Sequence, residues 1–175
     1  MTHGNFPYPD AIARAAKLGV VFDCQMAWHH FDGPALNGVF GPQRMKSFLP
    51  LRSLIDAGVV VVGGSDHMIR LDARDSLNPY HPFFGMWMAV TRRTVDGEAL
   101  NPEQRITREE ALRMWTINGA YGTFEEKIKG SIEPGKLADM VVISKDYLTC
   151  PEDEIKDIEA ELTVVGGRVV HGPRM

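Results

Sequence analysis

Val59-Val60-Val61-Val62-Gly63-Gly64-Ser65-Asp66 is the stretch that decides the fold. Four successive valines show no polar alternation. Such a run suits a strand buried on both faces, as in a parallel sheet covered by helices. Two glycines and then a carboxylate end it. Glycines let the backbone pack closely and let a ligand approach. In barrels and open sheets built of βα units, the C-terminal strand ends form the active face. A carboxylate there can bind a metal or take a proton from an activated water. The other reading of Asp66 is a cap on a turn or an adjacent helix, and position alone does not separate the two.

Upstream, Pro50–Ala57 reads as a helix with Leu51, Leu54 and Ile55 on one face and Gly58 as its stop. Before it, Ala27 to about Gln43 is rich in Gly, Pro and aromatic residues and reads as a loop. Val20–Gln25 is a short β-type run. It follows an Ala-rich helix opened by Pro9 and Asp10 and stopped by Gly19. Helix, strand, helix, strand is the order of βα units. Downstream, Phe83, Trp87 and Val90 recur at helical spacing behind Pro82, a pattern that more often packs a core than lines a pocket. Thr107-Arg108-Glu109-Glu110 is a capping box that opens the helix EEALRMWTINGAYG. Beyond it the pattern turns β-rich, with strands expected at Met140–Ser144 and Glu161–Val170 and turns at Gly130, Pro134-Gly135 and Gly166-Gly167.

The chain has 175 residues, 44% hydrophobic and 24% charged, a globular composition. A net charge of −4 and the lack of a basic run offer nothing to nucleic acid or an anionic membrane. No apolar run approaches the ~18 residues of a membrane span. The N-terminal segment has no positive region followed by an apolar one. With Cys24 and Cys150 far apart, two reduced thiols in a cytoplasmic protein are the expectation, and Cys24, inside a β-type run, reads as inert.

Of the six histidines, His3, His29, His30 and His67 fall at or just beyond expected strand ends. Imidazole is the commonest ligand of zinc-like metals. No pair has a compact ligand spacing, so each taken singly also reads as a hydrogen-bonded loop residue. Trp28, Phe31, Tyr80, Phe83, Phe84 and Trp87 could line an apolar pocket or pack loops onto a barrel. Arg70, Asp72 and Asp75 follow in a polar loop and read as solvated or structural. A phosphate-binding glycine loop and a G-x-S-x-G nucleophile elbow are both missing.

Three segments carry a family resemblance: Val62-Gly63-Gly64-Ser65-Asp66, the helix TREEALRMWTINGAY from Thr107 to Tyr121, and GSIEPGKLAD from Gly130 to Asp139 followed by Met140-Val141-Val142. The third is the most specific, and the closing TVVGGRVVH from Thr163 agrees with it. The spacing of His3, Pro9 and Leu18-Gly19 extends the likeness to the N-terminus. Together they resemble the amidohydrolase superfamily, in the amidohydrolase-3 group that includes N-substituted formamide deformylase and YtcJ-like proteins.

The resemblance implies an α/β fold: the C-terminal part of a metal-dependent hydrolase (β/α)8 barrel, about strands 6 to 8, over residues 1–124, and a small β-sandwich segment over 125–175. It implies hydrolysis of a non-peptide C–N bond, amide or formamide, with a divalent metal, zinc first, activating a water. Asp66 would be catalytic and a metal ligand, His3 a second ligand, and Gln25, Trp28, His29, His30 and His67 substrate-binding residues. The family's H-x-H pair, its bridging Lys or Glu and a further His have no counterpart here. A whole barrel needs about 250 residues, so a longer parent enzyme is expected, with a small amide-type substrate and an open possibility of homo-oligomers. The rival readings are a catalytically silent fragment and a non-enzymatic binding module, the latter disfavoured by the GSIEPGKLADMVV string.

Overall fold

The computed structural model describes residues 1–67, 74 and 79–173. Helix α1 (Pro9–Leu18) leads into strand β1 (Phe22–Gln25), and a π-helical turn (Trp28–Asp32) continues into α2 (Gly33–Met45). Helix α3 (Leu51–Asp56) precedes β2 (Val61–Gly64), and α4 (Pro82–Thr91), α5 (Arg108–Trp115) and α6 (Ile117–Gly122) follow. The remainder is β3 (Met140–Ile143), a 3-10 segment (Glu152–Asp157), β4 (Ala160–Val165) and β5 (Arg168–His171). No helix among the described residues is long and apolar enough to cross a membrane.

β1 and β2 pair in parallel, Phe22 beside Val61 and Gln25 beside Gly64, and Thr2 bridges to Asp23 on the other side of β1. Both strands start two residues later than their apolar runs suggest. The cause is the same at each helix exit. Gly19 and Gly58 take positive φ (67° and 83°), and the next residue still donates to its helix, Val20 N to Ala15 O and Val59 N to Leu54 O. The first valines therefore close a helix before the chain extends.

Two further expectations are corrected. The segment expected as a loop from Ala27 to Gln43 is helical, because its glycines and prolines sit where a helix tolerates them: Pro34 near the start of α2, and Gly41 at a kink with φ 74° just ahead of Pro42. The single helix expected from Glu109 to Gly122 is two, broken at Thr116 (φ −127°, ψ −98°), whose hydroxyl donates to Leu112 O at 2.7 Å. The capping box stands as read, and Glu110 also takes a two-pronged ion pair from Arg52 of α3 at 2.8 Å on each arm. That ties the start of α5 to the helix before β2.

Period-two alternation divides the sheet. Phe22, Cys24 and Val61 are buried on the helix side. Ring packing there needs bare backbone: a Cβ on Gly63 would lie 2.5 Å from the Trp115 ring, and one on Gly85 2.6 Å from it. Trp115 is thus wedged between β2 and α4. Asn118 of α6 donates to Val61 O at 2.9 Å and closes that edge. Phe83, Trp87 and Val90 are buried, as their helical spacing suggests for core residues. Cys24 is inaccessible and its thiol is pushed up to about 12 by burial, so it is inert.

The tail is anchored in the same core. Tyr147, Ile155 and Ile158 belong to the cluster that holds Phe83 and Trp87. Arg108 donates to Tyr147 O and Cys150 O, and the Tyr147 hydroxyl donates back to Arg108 O. The antiparallel sheet runs β3-β4-β5, its last two strands joined by Gly166-Gly167 at φ 55° and 77°, the backbone of a tight two-residue hairpin.

Arg92, fully buried at the left-handed end of α4, holds the centre together. Its guanidinium donates to Leu49 O at 3.0 Å, Phe48 O at 3.1 Å and Leu100 O at 3.4 Å. Burial pulls its pKa down to about 9.

Two stability predictions follow from these contacts. Arg92→Met keeps the aliphatic stem but takes away the donors to Phe48 O, Leu49 O and Leu100 O, the last two of which keep a bond from Leu51 N and His29 Nε2, and should cost about 1–3 kcal/mol in urea denaturation. Gly63→Ala should cost roughly 1–3 kcal/mol by overpacking against Trp115. A Gly63→Ala/Trp115→Leu double variant should cost less than the sum of the singles; strict additivity would show that the two do not share the contact.

Candidate functional site

The C-terminal ends of the parallel strands carry the polar residues. Asp23 and Gln25 project from the face of β1 opposite Phe22 and Cys24, beside Val62 and Gly64 of β2. Gln25 Nε2 donates to Asp23 Oδ1 at 2.8 Å, and Gln25 Oε1 lies 2.9 Å from His3 Nδ1. Gln25 is 3% exposed. His3 is held by its own backbone N–H, which donates to Asp23 O at 3.0 Å. Its φ of 66° lies in the left-handed region, where His, Asn and Asp are enriched among residues other than glycine. Asp66, at the end of the glycine run of β2, has φ 52°. Both residues singled out for chemistry therefore take left-handed backbone, as do Leu49, Arg92, Asn101 and Phe124 elsewhere in the chain.

Asp23 connects them electrostatically. Burial pushes its carboxyl above the ordinary value. His3 and the N-terminal ammonium pull it down, the Asp66 charge pushes it up, and the Gln25 bond pulls it down again. His3, Gln25 and Asp23 thus form one hydrogen-bonded group at the end of β1, and Asp66 follows the end of the neighbouring strand β2. Asp23 was not singled out from the sequence. The signal that could have found it is the alternation of Phe22-Asp23-Cys24-Gln25, which places Asp23 and Gln25 on one face.

The other candidates divide. The Trp28 ring stands edge-on to His3 with centroids 6.4 Å apart, and its Nε1 is buried without a partner among the described residues. His67 stacks edge-on to Tyr80 at 4.7 Å, and its N–H donates to the Ser65 hydroxyl at 3.3 Å. A small cleft lies beside this end of β2, between Met26, Ser65, Tyr80, His81 and Trp115. A roomier cleft between Pro7, Gln43, Lys46 and Pro50 contains none of the candidates.

His29 and His30 are interior residues of the π-helical turn rather than loop residues at a strand end. His29 is inaccessible, donates from Nε2 to Leu100 O at 3.0 Å and stacks on Phe48; burial and the nearby Arg92 charge push its pKa well down. His30 donates from Nδ1 to Arg93 O at 2.8 Å, is enclosed by Phe31, Phe84 and Trp87, and is pushed down by burial. Neither lines the cleft beside β2, and nor do His3, Gln25, Trp28, Asp66 and His67. Arg70, Asp72 and Asp75 lie outside the described residues.

For a metal, the described residues at this end of the sheet offer the imidazoles of His3 and His67 and the carboxylates of Asp23 and Asp66. No group of three or more His, Cys, Asp or Glu suited to a metal occurs among the described residues. The donor types fit zinc, which takes imidazole nitrogen and carboxylate oxygen in sets of three or four. The bond from His3 Nδ1 to an amide oxygen also fits, because ligand histidines use their second nitrogen in this way.

Comparison with known proteins bears on the whole chain. N-substituted formamide deformylase of Arthrobacter pascens is 38% identical over 125 residues, 71% of this chain and 21% of the deformylase. A metal-dependent hydrolase from Pyrococcus horikoshii OT3 superposes with a TM-score of 0.70 at 20% identity, covering 87% of this chain and 30% of that one. A zinc-bound adenosine deaminase from Xanthomonas campestris gives 0.66 at 20% identity, covering 96% and 36%. The chain therefore spans between a fifth and about a third of the length of these proteins. The structural likenesses show that the fold is shared with these enzymes. Residues 1–171 match the amidohydrolase family model, and the chain belongs to that family, in its amidohydrolase-3 branch.

Proposed function

We propose that these residues form the C-terminal side of the active site of an enzyme that hydrolyses a small amide or formamide at its C–N bond. The observation that carries the reading is the hydrogen-bonded line His3–Gln25–Asp23 at the end of β1, with Asp66 just beyond the end of the parallel strand β2. The likeness to a formamide deformylase supports the bond type. β1 and β2 then correspond to the barrel's last two strands, and the stretch around Thr2 to the one before them.

A divalent metal, zinc first, would be held in part by His3 and Asp66, and would supply the polarisation that activates a water at neutral pH. Asp66 takes the proton of the attacking water and passes it to the leaving nitrogen, so that an amine departs rather than an amide anion. Trp28 and His67 border the substrate. The remaining metal ligands come from beyond the described residues. That no group of three or more candidate ligands converges among the described residues favours a second reading for the 175 residues taken alone: they are silent until the rest of a barrel is present.

Asp66→Asn in the complete enzyme keeps the size of the side chain but cannot accept the proton. Turnover of an N-substituted formamide should fall ~10²–10⁴-fold with the circular dichroism spectrum unchanged. Asp66→Gly separates chemistry from capping. Glycine accepts the φ of 52° freely, so stability should hold or rise by up to about 1 kcal/mol while activity is lost. A marked loss of stability would assign Asp66 to the fold instead. Dialysis against a strong chelator should abolish turnover, and zinc should restore it in the wild type but poorly in His3→Gln. Full activity of the metal-free protein would overturn the reading.

A further inference from the structure

Asp23, Gln25 and His3 make a line of hydrogen bonds whose direction is set by one member. A carboxylate only accepts. The 2.8 Å contact at Asp23 Oδ1 is therefore made by the Gln25 NH2 group, which leaves Oε1 as the atom facing His3. An amide oxygen has no proton to give, so His3 must donate from Nδ1 across the 2.9 Å contact. A neutral imidazole carries one N–H. Nε2 is then left with its lone pair.

We propose that Gln25 is a positioning residue: anchored by Asp23, it fixes His3 in the Nδ1–H tautomer and presents Nε2 as an electron-pair donor at the strand ends. Direct contact of Gln25 with substrate fits the structure less well. Both ends of its amide are engaged, and the residue is 3% exposed. Space for the pair comes from β2. A Cβ on Gly64 would lie 3.0 Å from Asp23 Oδ1 and 3.4 Å from Gln25 Nε2, tighter than such contacts normally are. The ring itself is steadied by the Trp28 edge at 6.4 Å. What Nε2 then binds rests on the metal-dependent reading proposed above; the tautomer does not.

The test is nitrogen NMR of the imidazoles in the full 15N-labelled chain at pH about 8.5, roughly two units above the ordinary histidine value. His3 signals are assigned by their disappearance in His3→Gln. In the wild type, Nδ1 should be the protonated, pyrrole-type nitrogen and Nε2 the pyridine-type one. Gln25→Leu should swing His3 to Nε2–H as the major form, the preference of free histidine. Gln25→Glu should retain Nδ1–H, since a carboxylate also accepts from it. Asp23→Asn keeps the size and frees the amide to reverse, so the preference for Nδ1–H should be lost; this variant carries the test if Gln25→Leu does not fold. An Nε2–H form in the wild type, or an Nδ1–H form that survives both Gln25→Leu and Asp23→Asn, would overturn the proposal. If His3 responds as stated while Asp66→Asn remains active, the metal-dependent reading fails and the positioning role of Gln25 stands.

Discussion

The parallel register of β1 and β2 is the constraint on which the site depends. With Gln25 set beside Gly64 and Asp23 beside Val62, every second side chain of β1 turns from the helices to the polar end of the sheet. A slip of one residue would exchange the faces, bury Asp23 and Gln25 against the helices and drive Phe22 into the polar group. The register is protected on the apolar side, where Phe22, Cys24 and Val61 are almost inaccessible. Hydrophobic packing on one face thereby decides where hydrogen bonds form on the other.

Around that sheet the chain relies on a few long polar arms that reach backbone. Arg92 gathers the carbonyls of Phe48, Leu49 and Leu100, Arg108 those of Tyr147 and Cys150, and Asn118 that of Val61. Each joins segments far apart in sequence by donating to backbone carbonyls. The mode is economical in a fold whose described strands are only four to six residues long. It also explains how the 3-10 segment near Ile155 and Ile158 enters the main core although the strands flanking it belong to the antiparallel sheet.

Much of this was legible in the sequence because it rests on local rules. Pro9 and Gly19 bound a helix, Thr107 and Glu110 form a reciprocal cap, and Gly166-Gly167 turns a hairpin. The GSIEPGKLAD string and the Gly63-Gly64-Ser65-Asp66 end pointed to the family that the comparisons show. What escaped was set by contacts across the fold. Val59 looks like a strand residue but is captured by Leu54 O, and His29 and His30, read as substrate-binding residues, each donate to a backbone carbonyl, Leu100 O and Arg93 O. Asp23 escaped for the opposite reason. A single acidic residue in a β-type run carries no motif, and its importance appears only when Gln25 and His3 are seen to line up on it.

The two glycines that close β2 do different work on opposite sides of one backbone. Gly63 leaves the hollow that receives Trp115, and Gly64 leaves the hollow that receives Asp23 and Gln25. A side chain added at the first would therefore meet the Trp115 ring of α5, and one added at the second would meet the polar pair of β1. Neighbouring positions in the sequence thus answer to different layers of the fold.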